Sequence, residues 1–384
     1  MTSDRLRICL VTAAYRPYPS GVSEHVHHLA VELQRRGHSV HILATSFDRR
    51  SIPQSADPST TDSLPVTRFG RALLLPINRS YATVPTGLGI PFQVPWFFWR
   101  HRFDLIHCHG VFPPELAYWA LMETRMPAVV TFHTVGKLPP KPLVKAFRLF
   151  TAGLNRRIAA RIAMSRAGAD FARRLFPGEY HVIPCGIDLN HFSDRAPTPL
   201  PMRDGRPTVL FVGRFDERKG LPVLLRAMPG VIAAVPSVRL IAVGGGMLEN
   251  QCRRFAISSG IGDHVVFAGR VSTSDLPGYY AGCTVFCSPA TGGEALGLVL
   301  IEAMAAGRPV VASNITGYNE VVTTGLDGLL VPAEDPDALA AALTRVLLSA
   351  DLRTELSARA RSRAGEFAWP DITERVERVY REVL

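Results

Sequence analysis

The sequence lacks several features that would assign it to a common class of protein. Its six cysteines include no Cys-x-x-Cys pair, so we expect buried thiols in a reducing compartment and neither a disulfide framework nor a zinc site. The first residues lack the pattern of a signal peptide. The uncharged run Tyr81 to Trp99 has the length of a membrane span, but its prolines should break any helix there. We therefore expect a cytoplasmic protein without a transmembrane helix.

Acidic residues are missing from two long segments. Val66 to Arg102 contains five arginines and no acid, and Arg125 to Ala169 also contains no acid. Residues 1–186 hold 23 Lys and Arg against 11 Asp and Glu, whereas residues 187–384 hold 20 against 22. The excess of positive charge therefore belongs to the first half, which favours an anionic partner there, either a membrane surface or a nucleic acid.

The order of the apolar segments predicts two α/β domains. A strand at Arg7 to Thr12, a helix that ends at Gly37 and a strand at Ser39 to Ala44 open a first series. A proline-rich linker, His191 to Arg206, precedes a second series that begins at Thr208 to Gly213. Such alternation predicts parallel sheets with helices on both faces, and these sheets bind ligands at the carboxyl ends of their strands.

One stretch, Thr291 to Gly307, combines a tight turn, a helix and two carboxylates. Gly292 and Gly293 allow the backbone to turn sharply and to approach a ligand closely. The run that follows is rich in helix formers, so we expect a helix to begin near Glu294 and its first free amides to bind an anion. Glu302 should lie about two turns further along, near the same face. A diphosphate with a sugar at each end fits this arrangement.

The spacing Glu-x7-Glu, with glycines before it and Glu-Ala-Met-Ala-Ala-Gly-x-Pro-Val-Val after it, resembles the retaining family-4 glycosyltransferases of the GT-B fold. Among them it is most similar to the bacterial phosphatidylinositol mannosyltransferases. The resemblance implies two Rossmann-like α/β domains that face each other across a cleft. Residues 1–186 with 369–384 would bind the acceptor, residues 187–368 would bind the nucleotide sugar, and the last helix would cross back to the first domain.

The resemblance also implies which residues hold the donor. Cations at a strand end and before a helix suit a phosphate, and GRFDERKG supplies Arg214 and Lys219 after the first strand of the second series. Glu302 would hold the ribose, and Glu294 would position the hexose hydroxyls. The donor diphosphate would contact these two cations, three backbone amides and one glycine of the first domain: Arg214, Lys219, Ala295, Leu296, Gly297 and Gly21.

Two positions in the first half carry further expectations. His133 follows a predicted strand in TFHT, where ligand contacts lie in this architecture. The resemblance places the family's most important histidine there, next to the anomeric carbon of the sugar. The loop before the first helix has Ser20-Gly21 where the family commonly has Gly-Gly. Gly21 can keep the contact with the diphosphate.

We expect no metal ion and no cofactor. His107 to His109 (HCH) offers ligand-type side chains, but no third ligand accompanies it at a suitable spacing, so packing at a strand end or acceptor contact is favoured. Asp335 to Asp337 (DPD) imitates an Asp-x-Asp metal motif, yet it precedes a helix-forming run and reads as an N-cap. Arg214, Lys219 and the helix N-terminus would then stabilise the leaving diphosphate without a metal.

The segment Lys137 to Arg166 has eight basic residues and no acid. Its apolar residues recur at helical spacing, which predicts a basic amphipathic helix with either a solvated face or a face that binds anionic lipid. The other acid-free segment contains PWFFW at Pro95 to Trp99, which is either part of a core helix with a loop or an interfacial element. The basic residues that we assign to the membrane and acceptor side are Lys137, Lys141, Lys145 and Arg148.

Together these features predict a hexosyltransferase that is peripheral on the inner face of the cell membrane. The resemblance implies retaining, front-side transfer of mannose from GDP-mannose to an inositol phospholipid. A UDP-sugar donor with a different lipid, polysaccharide or small-molecule acceptor remains an alternative. Two further alternatives are a sugar-nucleotide epimerase and a nucleic-acid-binding module. No nucleic-acid motif is present, so we expect no nucleic-acid partner.

Overall fold

The computed structural model describes residues 5–18, 20–48, 64–77, 80–87, 89–112, 115–136, 138–193, 196–199 and 202–384, and it leaves the side chains of 74–77 and 80–85 undescribed. Residues 49–63 therefore lie outside the described residues, as do Arg79 and Lys137. The chain divides into two compact units. Unit 1 comprises Met1–Gly186 and Trp369–Leu384, and unit 2 comprises Ile187–Ala368.

The helices and strands alternate through both units. The first series is β1 (Arg7–Thr12), α1 (Gly21–Arg35), β2 (Ser39–Ser46), β3 (Val66–Ile77), β4 (Ser80–Thr86), α2 (Ile90–Arg100), β5 (Leu105–His109), α3 (Leu116–Glu123), β6 (Ala128–Phe132), α4 (Lys141–Phe150), α5 (Ala152–Arg156), β7 (Ala160–Ala163), α6 (Arg166–Arg173) and β8 (His181–Val182). The second series is β9 (Thr208–Val212), α7 (Leu221–Ala234), β10 (Arg239–Val243), α8 (Glu249–Ser258), β11 (Val265–Gly269), α9 (Leu276–Gly282), β12 (Val285–Ser288), α10 (Leu298–Ala305), β13 (Val310–Ser313), β14 (Leu329–Val331), α11 (Pro336–Leu348), α12 (Ala350–Gly365) and α13 (Trp369–Val383).

Unit 1 is built on one sheet with the strand order β4-β3-β2-β1-β5-β6-β7-β8. Every neighbouring pair is parallel except β3 and β4, which form an antiparallel hairpin. The interior of β1 is fully buried because helices cover both faces of the sheet. Since β1, β5 and β6 are adjacent and parallel, the residues that follow them meet at the same edge of the sheet.

Unit 2 contains a second, fully parallel sheet with the order β11-β10-β9-β12-β13-β14. The strand order reverses between β9 and β12, because the chain leaves β9 toward one edge and returns to β12 on its other side. Such a switch point separates the connections on the two sides and opens a crevice at the carboxyl ends of the two strands. The two sheets confirm the predicted pair of parallel α/β domains.

The prediction that prolines break any helix between Tyr81 and Trp99 is wrong. The stretch divides into the end of β4 and the helix α2, which contains Pro91 in its first turn and Pro95 inside. Proline is tolerated in a first turn because the amide there has no partner within the helix. Over the described residues, no helix combines the length and the apolar character needed to cross a bilayer.

The segment predicted as one basic amphipathic helix over Lys137 to Arg166 contains several elements. Only Lys141–Phe150 forms the amphipathic helix α4, and α5 and the strand β7 follow it. The strand residues Ala160–Ala163 are apolar except for Arg161, and they pair in register with β6. Tertiary pairing in the sheet therefore ends the helical segment.

The last helix, α13, belongs to unit 1, as predicted. The buried carboxylate of Glu377 accepts hydrogen bonds from the Arg36 guanidinium at 2.9 Å and lies 2.8 Å from His38 Nε2. These contacts hold the Arg36 and His38 loop that follows α1 against α13. Asp335 caps α11 by accepting from the amides of Asp337 and Ala338, so this motif is an N-cap as predicted.

Candidate active site

A short turn after β9 fixes two of the predicted donor residues. The carboxylate of Asp216 accepts from the backbone amide of Lys219 at 3.1 Å, which closes a one-turn 3-10 helix. Gly220 then adopts a left-handed conformation, and a Cβ on it would lie 1.8 Å from the carbonyl oxygen of Pro289. Only glycine permits this approach, which brings the turn against the residue that follows β12. The residues that follow β9 and β12, the two strands of the switch point, are therefore in close contact.

Lys219 pairs with Glu294 at this edge. Its ammonium lies 2.9 Å from Oε1 and donates to Oε2 at 3.0 Å, and the two side chains are only 18% and 10% exposed. Arg214 has a more open guanidinium, 45% exposed, that lies 3.2 Å from the carboxylate of Asp216. Both cations thus have carboxylate neighbours that hold them near the turn. An arriving diphosphate would find a preorganised positive group in Lys219 and an exposed one in Arg214.

The helix of the glycine-rich stretch begins later than predicted. It begins at Leu298, with Gly297 as its N-cap, so the expectation of a helix from Glu294 is wrong by four residues. Gly297 has a φ of +82°, and a Cβ there would lie 2.4 Å from the ring of Tyr318. Because the left-handed conformation and the close ring exclude helical geometry at this position, Ala295 and Leu296 lie in the turn. Their amides precede the helix and are not part of its first turn.

Glu302 is buried on α10. Its carboxylate accepts a hydrogen bond of 2.6 Å from the hydroxyl of Tyr280, which is itself buried on α9. Burial raises the pKa of Glu302 to about 7, although the Tyr280 hydrogen bond and the charge of Lys219 both oppose this rise. Tyr280 was not predicted as a site residue, since a lone tyrosine in an apolar run gives no sign of a distant carboxylate partner.

Four histidines form a network at the carboxyl edge of the unit 1 sheet. His107 lies 2.7 Å from both the Tyr380 hydroxyl and the Thr131 hydroxyl. His109, at the end of β5, has its Nδ1 3.0 Å from Nε2 of His133, which follows β6. His25 on α1 has its Nδ1 3.3 Å from the sulfur of Cys185. The network consists of His25, His107, His109 and His133.

Burial keeps these imidazoles neutral. It lowers the pKa of His133 to about 4 and that of His107 to about 3, and it lowers the pKa values of His25 and His109 well below the ordinary value. His133 therefore offers a neutral hydrogen-bonding ring at pH 7. His133 was predicted from the sequence, but its contact with His109 was not. The HCH stretch that contains His109 was predicted to serve strand-end packing or acceptor contact.

The loop before α1 explains the Ser20-Gly21 pair. The hydroxyl of Ser20 accepts from the amide of Ser23 at 3.0 Å, so Ser20 serves as the N-cap of α1. Gly21 opens the helix, and a Cβ there would meet nothing within 4 Å. The space next to Gly21 is open to a ligand, while Ser20 contributes to the stability of the helix.

The helix α4 exposes both apolar and basic side chains. Leu143, Leu149 and Phe150 are 59%, 81% and 70% exposed. Val144 and Phe147 pack partly against the core of unit 1, which fixes the inward face of the helix. The predicted basic residues Lys141, Lys145 and Arg148 are all exposed on this helix. Lys137 lies outside the described residues.

Each half of the chain matches the model of a known protein family. Residues 19–191 match Glycosyltransferase Family 4, and residues 193–363 match Glycosyl transferases group 1. A phosphatidyl-myo-inositol mannosyltransferase of Mycolicibacterium smegmatis is 33% identical over 383 residues, which cover 98% of this chain and 94% of the relative. A D-inositol 3-phosphate glycosyltransferase of Saccharomonospora viridis is 28% identical, with 95% of this chain and 89% of the relative covered.

A solved structure shows the same fold. A glycosyltransferase from Rickettsia africae ESF-5 superposes with a TM-score of 0.80 at 18% identity, and 99% of each chain is covered. This similarity extends through both parallel-sheet units, in agreement with the predicted GT-B fold. Since the relatives at 33% identity align along almost the whole length, the chain belongs to the family-4 glycosyltransferases.

Proposed function

We propose that the chain is a retaining mannosyltransferase that moves mannose from GDP-mannose to an inositol phospholipid. The observation that carries the proposal is the Lys219–Glu294 pair at the switch point of unit 2, in a chain that resembles phosphatidyl-myo-inositol mannosyltransferases over its length. A nucleotide sugar presents both a diphosphate and sugar hydroxyls. This pair presents an ammonium for the first and a carboxylate for the second.

Stabilisation of the leaving group is the main task of unit 2. As the glycosidic bond breaks, negative charge grows on the diphosphate. Lys219 and Arg214 would face this charge together with the backbone amides of Ala295, Leu296 and Gly297. Because Lys219 is already held by Glu294, little reorganisation is needed when the charge develops. In this proposal the reaction needs no metal ion and no cofactor.

The two glutamates have different proposed roles. Glu294 would accept hydrogen bonds from hydroxyls of the transferred hexose. Because Glu294 pairs with Lys219, the hexose and the diphosphate would bind next to each other. Glu302 would accept hydrogen bonds from the ribose, in competition with the Tyr280 hydroxyl that now donates to it. His133 in unit 1 would contact the sugar as a neutral ring. Gly21, with open space next to it, would give the diphosphate a further backbone contact.

We also propose that unit 1 docks on an anionic membrane surface. On the solvent-facing surface of α4, Lys141, Lys145 and Arg148 lie along one edge. The exposed Leu143 and Phe150 lie along the opposite edge. An interfacial helix combines these two features, since lipid headgroups attract the cations and the acyl boundary receives the apolar side chains. On α2, the exposed aromatic side chains of Phe92, Trp96 and Trp99 add to the same kind of surface. The proposed location is the inner face of the cell membrane.

A second acceptor is favoured by one comparison. The similarity to a D-inositol 3-phosphate glycosyltransferase suggests a small phosphorylated inositol as the acceptor, without a lipid. The exposed cations of unit 1 fit that acceptor as well as a headgroup. The exposed Leu143, Leu149 and Phe150 favour the lipid, because a water-soluble acceptor gives no reason for apolar side chains at the surface.

Product analysis separates these possibilities. The purified chain would be incubated with GDP-mannose or UDP-glucose, and with vesicles that contain phosphatidylinositol or with inositol 3-phosphate in solution. We expect a mannosylated lipid, detected by mass spectrometry, only with GDP-mannose and the vesicles. Formation of a glycosylated inositol phosphate would support the second acceptor. Donor consumption at an equal rate without any acceptor would instead indicate an epimerase or a hydrolase.

A further inference from the structure

Three of the histidines in unit 1 form a compact cluster of potential metal ligands. One ring nitrogen each of His25, His109 and His133 lies within 4.8 Å of the other two. In the described part of the chain, this is the one group of three or more His, Cys, Asp or Glu side chains with ligand atoms so close together. The three residues come from α1, the end of β5 and the loop after β6, and the order of the sheet brings them together.

The hydrogen bonds around the cluster leave ring nitrogens available. Nδ1 of His25 is engaged by Cys185, which leaves its Nε2 for another partner. Nδ1 of His109 and Nε2 of His133 face each other at 3.0 Å, and a metal ion bound by both would replace the hydrogen bond that joins them.

We propose that His25, His109 and His133 bind a divalent cation of the zinc class. Three imidazoles without a carboxylate suit zinc and exclude magnesium or calcium, which require oxygen ligands. Tetrahedral zinc with bonds of about 2.0–2.1 Å holds its nitrogens about 3.3 Å apart. The observed separations, 3.0 Å between His109 and His133 and at most 4.8 Å in the set, need only small rotations of the rings.

Cys185 acts here as a positioning residue. A ligating imidazole is usually oriented by a second partner on its other ring nitrogen, and the contact of 3.3 Å to Cys185 supplies one for His25. The three imidazoles leave the fourth position of the metal to water. Zinc sites with such an open position accept an additional ligand, which distinguishes them from closed structural sites.

Occupancy of this cluster would block transfer. This consequence rests on the proposed function, in which His133 contacts the sugar. A metal ion would take the ring nitrogen of His133 that now faces His109 and would fix the ring away from a substrate. Zinc would therefore inhibit the enzyme, and a chelator would release it.

Binding is tested directly on the full chain without an affinity tag. The protein would be treated with EDTA, exchanged into buffer and titrated with Zn²⁺ in competition with a chromophoric chelator. We expect one Zn²⁺ per chain. His25→Ala and His109→Ala should each weaken binding on the order of 100-fold, and Cys185→Ser should weaken it about tenfold, the range for an outer partner. His264→Ala in unit 2 is the matched control and should leave the affinity unchanged.

The spectrum of the Co²⁺-substituted wild-type chain gives a readout that does not depend on variants that fold poorly. Intense visible bands of a four-coordinate ion with nitrogen ligands are expected, and weak octahedral bands would overturn the proposal. Binding that survives both histidine substitutions would overturn it as well. Zinc that binds without lowering the rate of transfer would refute the block at His133. If zinc binds but no donor supports transfer, the site stands and the proposed function fails.

Discussion

The two units place opposite kinds of chemistry at the carboxyl ends of similar parallel sheets. In unit 2 two buried carboxylates lie at the site, and each has a partner: Lys219 for Glu294 and Tyr280 for Glu302. In unit 1 the same edge carries neutral histidines. The exposed cations of unit 1 include Lys141, Lys145 and Arg148 on the surface of α4.

The difference follows from the free energy of burying charge. A buried carboxylate is stable only with a cation or hydrogen-bond donor next to it. Unit 2 meets that requirement, because Lys219 pairs with Glu294 and the Tyr280 hydroxyl donates to Glu302. Unit 1 avoids the requirement, because burial lowers the pKa of each imidazole and removes its charge. One topology therefore supports a charged site in one unit and a neutral site in the other.

Removal of a cation from unit 2 should have the largest effect. Lys219→Ala or Arg214→Ala should lower kcat/KM. The loss should correspond to roughly 2–4 kcal/mol of transition-state stabilisation, the scale of one preorganised contact with transition-state charge. Steady-state kinetics with the sugar donor measures the loss. Arg226→Ala, at an exposed position of α7, is the matched control and should behave as wild type. A loss below tenfold for both Lys219→Ala and Arg214→Ala would contradict the assignment.

The burial of Glu302 should appear in the dependence of stability on pH. Because its pKa in the folded state, about 7, is raised above that of the unfolded chain, the contribution of Glu302 to stability is greatest below about pH 4.5 and declines as pH rises to about 7. The shift corresponds to about 3 kcal/mol. Glu302→Gln should remove this component, measured as the difference in free energy of unfolding between wild type and variant at several pH values.

A surface carboxylate provides the comparison for that experiment. Glu355 is exposed on α12 and pairs with Arg359, so Glu355→Gln should leave the pH dependence of wild type unchanged. If Glu302→Gln shows the same slope as Glu355→Gln, then burial does not raise the pKa of Glu302 in the folded protein.

Part of the site was predictable because its signals are local. The strand before His133, the cations of GRFDERKG and the cap at Asp335 all depend on neighbours in sequence, and their placement follows from periodicity and strand ends. The start of α10 was not predictable in this way. Residues 295–297 have ordinary helix propensity except for Gly297, and the ring of Tyr318, distant in sequence, favours the left-handed conformation there.

The histidine cluster could not be predicted from local signals either. His25, His109 and His133 are far apart in the chain, and only the sheet order β1-β5-β6 places them together. Spacing within HCH could not reveal partners on other elements. The prediction that Pro91 breaks a helix failed for a different reason, since a proline in the first turn of a helix looks like a breaker until the helix start is known.

The surface cations of unit 1 should act at the membrane and not at the donor. Lys137, Lys141 and Lys145 changed together to Ser should weaken binding to anionic vesicles by up to about 3 kcal/mol, at about 1 kcal/mol for each charge near the surface. Co-sedimentation at low and high salt measures this, since salt screens the attraction. Binding of the free donor should be spared.

A control with the same number of charges removed from unit 2 tests whether location matters. The exposed residues for this control are Arg226, Arg254 and Arg359, all changed to Ser. We expect their vesicle binding to match wild type. Equal, salt-independent partitioning of the α4 variant and wild type would refute membrane docking by this helix.

Loss of the neutral imidazole should affect turnover more than binding. His133→Ala should lower kcat by an amount that corresponds to about 2 kcal/mol of activation free energy, the lower end for a single contact made in the transition state. Binding of the free nucleotide should remain nearly unchanged. Titration calorimetry with GDP and steady-state kinetics together measure both quantities. His264→Ala provides a histidine control in unit 2. Turnover of the His133 variant near that of wild type would remove this residue from the proposed mechanism.

The smallest expected effect is that of a chelator. If Arg214 and Lys219 provide the positive charge at the diphosphate, then no magnesium or manganese ion is needed, and EDTA should not lower the rate of transfer. If the proposed histidine site holds adventitious zinc, EDTA would remove that zinc and raise the rate of transfer. Kinetics before and after EDTA treatment, followed by addition of each metal separately, measures both. Complete loss of activity on chelation, restored by magnesium or manganese, would show that unit 2 depends on a metal where we propose that its side chains suffice.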